Sequence, residues 1–198
     1  MAMRDRLKLM MKFDPQRLRE DLTRIEGSGW TEHFVRRNYE GAWSVIPLRA
    51  PAGEHHVIRM IYPNPSCTEF VDTPFLDGAH YVQEVLASLG SPLDAVRLMK
   101  LAPGSVIKEH TDHALSAEEG TIRLHIPVIT NPDVDFRLNG ERVTMNEGEC
   151  WYLRLSDPHS VANRGVTDRV HLVIDARIDR WMEERLNQAE MEAISLNS

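Results

Sequence analysis

The chain predicts a mainly β fold with flanking helices, a small jelly roll, as one domain over residues 1–198 with its jelly-roll core at about 94–178, N-terminal helices and a C-terminal helix flanking it. Three observations carry this expectation. Between residues 94 and 178, short apolar or alternating runs are separated by "APGS", "TNPD", "LNGE", "NEGE", "SDPH" and "NRGV", the punctuation of strands joined by turns. Helical periodicity is confined to segments on either side of that stretch. At 198 residues the chain is long enough for one sizeable core and short for two.

In chain order, Asp14-Pro15 supplies an N-cap and a first helical residue. Leu18, Leu22 and Ile25 follow at helical spacing until Gly27 and Gly29, which places a helix at 15–26. The middle stretch, "WSVIPLRAPAGEHHVIRMIYPNPSC", mixes short strands with loops, and its elements are not placed by pattern alone. A second helix is predicted from Thr73-Pro74, with Val82, Val85, Leu86 and Leu89 on one face, stopping at Gly90 with Pro92 beyond. Within the β region "FRLNGERV" predicts a hairpin, because Asn139-Gly140 fills the two positive-φ positions of a type I′ turn. The last stretch, "ARIDRWMEERLNQAEMEAISL", reads as a charged amphipathic helix burying Ile178, Trp181, Met182 and Leu186 against the body, a homodimer contact being the alternative use of that stripe.

Charge and composition narrow the function classes. The 23 basic and 30 acidic residues give a net charge of −7 and are interspersed, with no basic stripe of the kind nucleic acid requires. The start, "MAMRDRLKLMMKF", carries charges at Arg4, Asp5, Arg6, Lys8 and Lys12 and so holds no apolar export region, and no later run is long enough to cross a bilayer. The expectation is a soluble, cytoplasmic protein that binds neither nucleic acid nor membrane. Cys67 and Cys150 are the only cysteines, too far apart in sequence to form a CxxC, and read as ordinary reduced thiols.

The chemistry concentrates in "IKEHTDHALSAEEGTIRLHIPV". On a strand, residues two apart share a face, so His110 and Asp112 can converge on one ion while Thr111 and His113 point away. A third ligand is His159 in "LRLSDPHSVANRG", aimed by an apolar strand and a Pro-containing turn. Two imidazoles and one carboxylate form the facial triad suited to non-haem Fe(II), leaving three positions open. Arg169, in "DRVHLVIDARI", shares a face with His171 and Val173, opposite Val170, Leu172 and Ile174, and an arginine inside a small barrel needs an anionic partner. Its fork matches a carboxylate, such as the distal one of a 2-oxo diacid. Arg123 and His125 share a face in "TIRLHIPV" and offer a second carboxylate site.

Each feature also has a plainer reading. A lone HxD usually sits in a solvated loop. His33, His55, His56 and His113 are read as surface residues or neighbours of the site, and Glu109, Glu118 and Glu119 as solvated charge. Trp43, Trp151 and Tyr152 are read as core or pocket wall. The combined spacing is more specific: HxD, 46 residues, His, nine residues, Arg. Trp43, Arg49, Arg59 and Arg97 stand in segments able to wall the mouth.

At these residues the chain resembles the aspartyl/asparaginyl β-hydroxylase-like 2-oxoglutarate-dependent dioxygenases, which include bacterial proline hydroxylases. The resemblance spans roughly residues 35–178 and is densest in "GSVIKEHTDH", "IRLHIPV" and "CWYLRLSDPHSVANRGVTDRVHLVID". It implies a double-stranded β-helix, Fe(II) held by His110, Asp112 and His159, and a 2-oxoglutarate distal carboxylate gripped by Arg169, with Arg123 and His125 contacting that cosubstrate. It further implies that O2 is consumed and that succinate and CO2 are released as a C–H is hydroxylated on an amino acid, a derivative of one or a short peptidyl group. Asp112 departs from the vertebrate-type peptide aspartyl hydroxylases, which lack the carboxylate ligand, and moves the expectation to the small-molecule branch. Two other readings of the residues stay open at this point: a non-catalytic cupin-like protein binding a metal or an organic acid, and a zinc or manganese enzyme.

Overall fold

The structure, a computed structural model, describes residues 3–61 and 67–195. In chain order it contains β1 (Arg6–Lys12), α1 (Pro15–Ile25), β2 (Thr31–Glu32), β3 (Tyr39–Glu40), β4 (Trp43–Pro51), α2 (Val57–Ile61), β5 (Phe70–Asp72) and α3 (His80–Ser88). Then follow β6 (Leu93–Leu101), β7 (Val106–His110), β8 (Thr121–Ile129), β9 (Val134–Leu138), β10 (Glu141–Arg142), β11 (Glu149–Leu153), β12 (His159–Asn163), β13 (Arg169–Arg177) and α4 (Arg180–Ser195). The larger antiparallel sheet runs β1-β11-β8-β13-β6-β4-β2, with β5 beside β4, and the smaller runs β10-β9-β12-β7-β3. This is the expected jelly roll, a double-stranded β-helix.

Strand alternation sorts the larger sheet into two faces. On β13 the side chains of Val170, Leu172 and Ile174 join Leu124 and Ile126 of β8 and Leu18, Leu22, Val82, Val85, Met182 and Leu186 of the helices in one core. Burying each aliphatic side chain there stabilises the fold by about 1.5–3 kcal/mol. From the opposite face Val173 joins Val45, Met99, Leu101, Phe136 and Val161 in a second core between the sheets. The apolar packing of that inner core is interrupted by Arg97, His125, Arg169, His171 and Asp175, all buried.

Most local expectations hold, and the departures have physical causes. Asp14 caps α1, its side chain accepting from the Gln16 and Arg17 amides, and the Asn139-Gly140 turn has φ of 53° and 77°. The second helix does not begin at Thr73-Pro74: residues Pro74–Leu76 form a single 3-10 turn, and α3 starts at His80. Thr73 is drawn off by the sheet, its amide donating to the Leu48 carbonyl and its hydroxyl to that of Pro47. The final helix starts later than "ARID", because Ala176 and Arg177 complete β13 and Asp179 accepts from the Met182 amide. Strand β1 was not anticipated, although Leu7 and Leu9 alternate inward along it. The unplaced middle stretch contributes β4 and α2, and its residues 62–66 lie outside the described residues, as does Leu196 at the end of the C-terminal segment. Both thiols are free, and burial pushes that of Cys150 up to about 12. No helix among the described residues is long and apolar enough to cross a membrane.

Candidate functional site

The smaller sheet positions the histidines. In the β7–β12 ladder His110, the last residue of β7, is paired with His159, the first of β12, and their rings lie 4.3 Å apart. Asp112 is not on the strand. The ladder ends at His110, and Asp112 lies in the loop beyond, its amide donating to the Leu155 carbonyl at 2.8 Å. It therefore reaches the histidines through a loop, and the strand alternation expected for His110 and Asp112 is corrected on this point. One ligand atom from each of His110, Asp112 and His159 lies within 4.8 Å of the others.

The imidazoles are held in the orientation a metal needs. His110 Nδ1 lies 2.8 Å from the Lys108 carbonyl and His159 Nδ1 lies 3.0 Å from the Asp157 carbonyl. A carbonyl only accepts, so each Nδ1 donates, and in the neutral imidazole this tautomer leaves the Nε2 lone pair for an ion. Asp112 Oδ1 is 3.7 Å from His110 Nε2, and its Oδ2 accepts from Arg123 Nη1 at 2.6 Å. This donor set fits a divalent ion of the Fe(II) class.

The larger sheet supplies the cationic floor. Arg169, at the start of β13, is 2% exposed, and it has no carboxylate partner among the described residues. Its Nη2 donates to His171 Nδ1 at 2.8 Å, its Nε has no partner among the described residues, and its guanidinium carbon stands 6.0 Å from the Phe136 ring centre. Burial pulls its pKa down to about 9, which leaves it cationic at neutral pH. His125 Nδ1 is 3.3 Å from His171 Nδ1, and the Nε2 atoms of both are buried without partners among the described residues. Burial, then Arg169, drives both imidazoles well below their ordinary pKa, so both are neutral. A buried guanidinium lacking a counter-ion costs several kcal/mol, a cost that an anionic ligand removes.

Arg123 is engaged differently from Arg169. Its Nε and Nη2 donate to Asp175 Oδ1 and Oδ2 at 2.6 and 3.0 Å, and its Nη1 donates to Asp112. Arg97 Nη1 donates to the same Asp175 at 2.9 Å, while its Nε is buried without a partner. Burial alone would raise the Asp175 carboxyl, but Arg123 and Arg97 outweigh it and hold it at about 2.

These groups open on one cavity of about 630 Å³ lined by the three triad residues, Arg169, Arg123 and His125, and also by Arg97, Trp43, His33 and Asp175. His33 stacks on Trp43 at 3.6 Å between ring centres, and its Nδ1 accepts from the Val35 amide. Burial, then Arg97, lowers His33 to about 4. His113 stands exposed on the rim. Arg49 and Arg59 are not among the residues lining this cavity: Arg49 pairs with Asp72, and Arg59 is exposed near Glu54. Sequence reasoning singled out neither Asp175 nor His171 as a site residue. The signal was available, since both share the alternating face of β13 with Arg169.

The chain is 27% identical to the L-proline cis-4-hydroxylase of Rhizobium meliloti strain 1021 over 182 residues, which is 91% of this chain and 63% of that protein. The chain thus spans under two thirds of the length of that relative. Among solved structures, the non-heme alpha ketoglutarate dependent epimerase SnoN from nogalamycin biosynthesis superposes with a TM-score of 0.56 at 10% identity, over 87% of this chain and 78% of SnoN. A Pseudomonas putida prolyl-4-hydroxylase superposes with a TM-score of 0.52 at 12% identity, over 88% and 93% of the two chains. Both show the same fold. The family model described as aspartyl/asparaginyl beta-hydroxylase matches residues 12–178, which take in every triad and floor residue described above, and the chain belongs to that family.

Proposed function

We propose that the protein is an Fe(II)- and 2-oxoglutarate-dependent dioxygenase that hydroxylates a C–H of an amino acid, an amino-acid derivative or a peptidyl side chain. The balance is one substrate C–H, one 2-oxoglutarate and one O2 giving one C–OH, one succinate and one CO2. The observation that carries the reading is the buried, carboxylate-free Arg169 in the same cavity as a His110, Asp112 and His159 set whose Nδ1 atoms are tied to backbone carbonyls. His110, Asp112 and His159 would hold the ion, which supplies the O2 chemistry when bound. Arg169 would grip the distal carboxylate of 2-oxoglutarate, with Arg123 and His125 contacting the same cosubstrate. A cupin-like binder would also account for the triad, but Arg169 supplies in addition a floor for a second anionic molecule beside the ion.

The substrate end of the cavity is rich in donors. Among the described residues Arg97 Nε and Trp43 Nε1 are both buried without partners, and both residues line the wall. Acceptors on a bound molecule, such as the carboxylate of a free amino acid, would satisfy them. L-proline, named by the relative above, is the first compound to try. The test is succinate formation from 2-oxoglutarate with L-proline and other free amino acids under air. His110→Ala, Asp112→Ala and His159→Ala should each abolish succinate while leaving a folded protein. Ordinary activity in two of the three would remove the triad, and binding of 2-oxoglutarate with no turnover on any compound would favour the cupin-like reading.

A further inference from the structure

We infer that Asp175 is a positioning residue for the carboxylate ligand Asp112, acting through Arg123; this rests on the triad reading above. The larger sheet sets Asp175 of β13 directly opposite Arg123 of β8. Arg97 enters from β6, where it pairs with Val173. Alternate acidic and basic groups therefore run Arg97, Asp175, Arg123, Asp112, with contacts of 2.9, 2.6 and 2.6 Å. The side chains of Arg97, Asp175 and Arg123 are 6%, 10% and 14% exposed and that of Asp112, at the end of the row, is 29% exposed, so solvent screens the contacts around Asp175 little.

The division of Arg123's donors is the point of the arrangement. Asp175 takes Nε and Nη2, the side-on pair of the fork, and leaves Nη1 for one oxygen of Asp112. Asp112 then has Oδ2 occupied and Oδ1 turned to His110. With Asp175 neutralised, Asp112 is the one carboxylate still paired with Arg123 among the described residues. The geometry of a guanidinium and a carboxylate favours two parallel contacts, so Arg123 would then compete for both oxygens of Asp112. Loss of the Asp175 charge also leaves Arg97 and Arg123 mutually repelling and adds one positive charge beside a site meant for a cation. Orientation and charge both act to weaken the metal.

The test uses Co(II), whose absorption reports its ligand set, titrated into the full-length protein and its variants without cosubstrate. Asp175→Asn is expected to bind Co(II) about 10–100-fold more weakly than wild type, with an altered spectrum, the range seen when outer groups that orient metal ligands are changed. Asp175→Glu, which keeps the charge, should recover part of that loss. A merely structural Asp175 would lower the urea midpoint of Asp175→Asn and leave Co(II) affinity and spectrum at wild-type values, which would overturn the inference. If Asp175→Asn does not fold, Arg123→Lys decides, because one ammonium cannot repeat the three-donor bridge: wild-type Co(II) affinity in it would overturn the proposal, and a loss in the same range would support it. Wild-type protein that binds Co(II) no better than His110→Ala and His159→Ala would instead sink the triad itself.

Discussion

At the scale of single residues, the site contrasts two arginines that the sequence alone treats alike. Arg169 is buried with no carboxylate beside it among the described residues, whereas Arg123 already spans Asp112 and Asp175. Face alternation places both on the inner side of the sheet but does not say which of them meets a carboxylate from another strand. The difference predicts different phenotypes. Arg169→Ala removes a charge-assisted contact worth about 2–5 kcal/mol when its partner stays buried, so 2-oxoglutarate should bind about 30-fold or more weakly by calorimetry while Co(II) affinity holds. Arg169→Lys should regain part of the loss, keeping the charge without the planar fork. Unchanged 2-oxoglutarate affinity in Arg169→Ala would move the cosubstrate to another group, Arg123 first. His113→Ala should retain most succinate formation, since His113 stands on the rim and outside the triad; its loss of activity would call for a fourth functional histidine.

At the scale of elements, what was legible depended on how local the cause was. The Asn139-Gly140 hairpin and the Asp14 cap are written in adjacent residues, and both stand as read. The start of α3 is not, because Thr73 answers to β4 across the fold. Asp112 is similar: its approach to His110 depends on a hydrogen bond to Leu155, and no spacing rule reports such a contact. Two glycines separate turn conformation from packing. Gly140 has φ of +77° with open space where a Cβ would go, so Gly140→Ala should cost about 1–2 kcal/mol from the left-handed backbone alone. Gly148 has the same φ, but its Cβ would fall 2.2 Å from the Phe13 carbonyl oxygen, in the contact that joins the end of β1 to the turn before β11. Gly148→Ala should therefore lower stability clearly more than Gly140→Ala in urea unfolding. Equal costs would mean that the Phe13 contact yields freely.

At the scale of the whole molecule, the interior between the two sheets holds histidines kept neutral that an unfolded chain would protonate. His33 is lowered to about 4, His125 and His171 lie well below the ordinary value, and burial lowers His159 as well. A depressed folded-state pKa means that the unfolded chain takes up protons first. Stability is then fully present above the unfolded pKa of about 6.5 and falls as pH drops toward the folded values, by up to about 1.4 kcal/mol per pH unit for each group. Asp175, held at about 2, adds loss only below about 3.9, the unfolded aspartate value. Metal-free protein should accordingly show a urea midpoint that falls steeply between pH 6.5 and 4, with a shallower slope in His171→Gln; a flat profile over that window would contradict neutral burial. The spacing of the proposed ligands and the arginine that follows it were visible in the sequence because they lie on or beside strands. The Asp175 relay was not, because it joins β6, β8 and β13 with the loop after β7, and only the assembled sheet brings these together. An anaerobic titration of the protein with Fe(II) and 2-oxoglutarate tests whether one cavity holds both side by side. A weak visible charge-transfer band should appear only when both are present, with half-saturation shifted to higher 2-oxoglutarate in Arg169→Ala and no band in His110→Ala; absence of the band in wild-type protein that has bound Fe(II) would contradict the account.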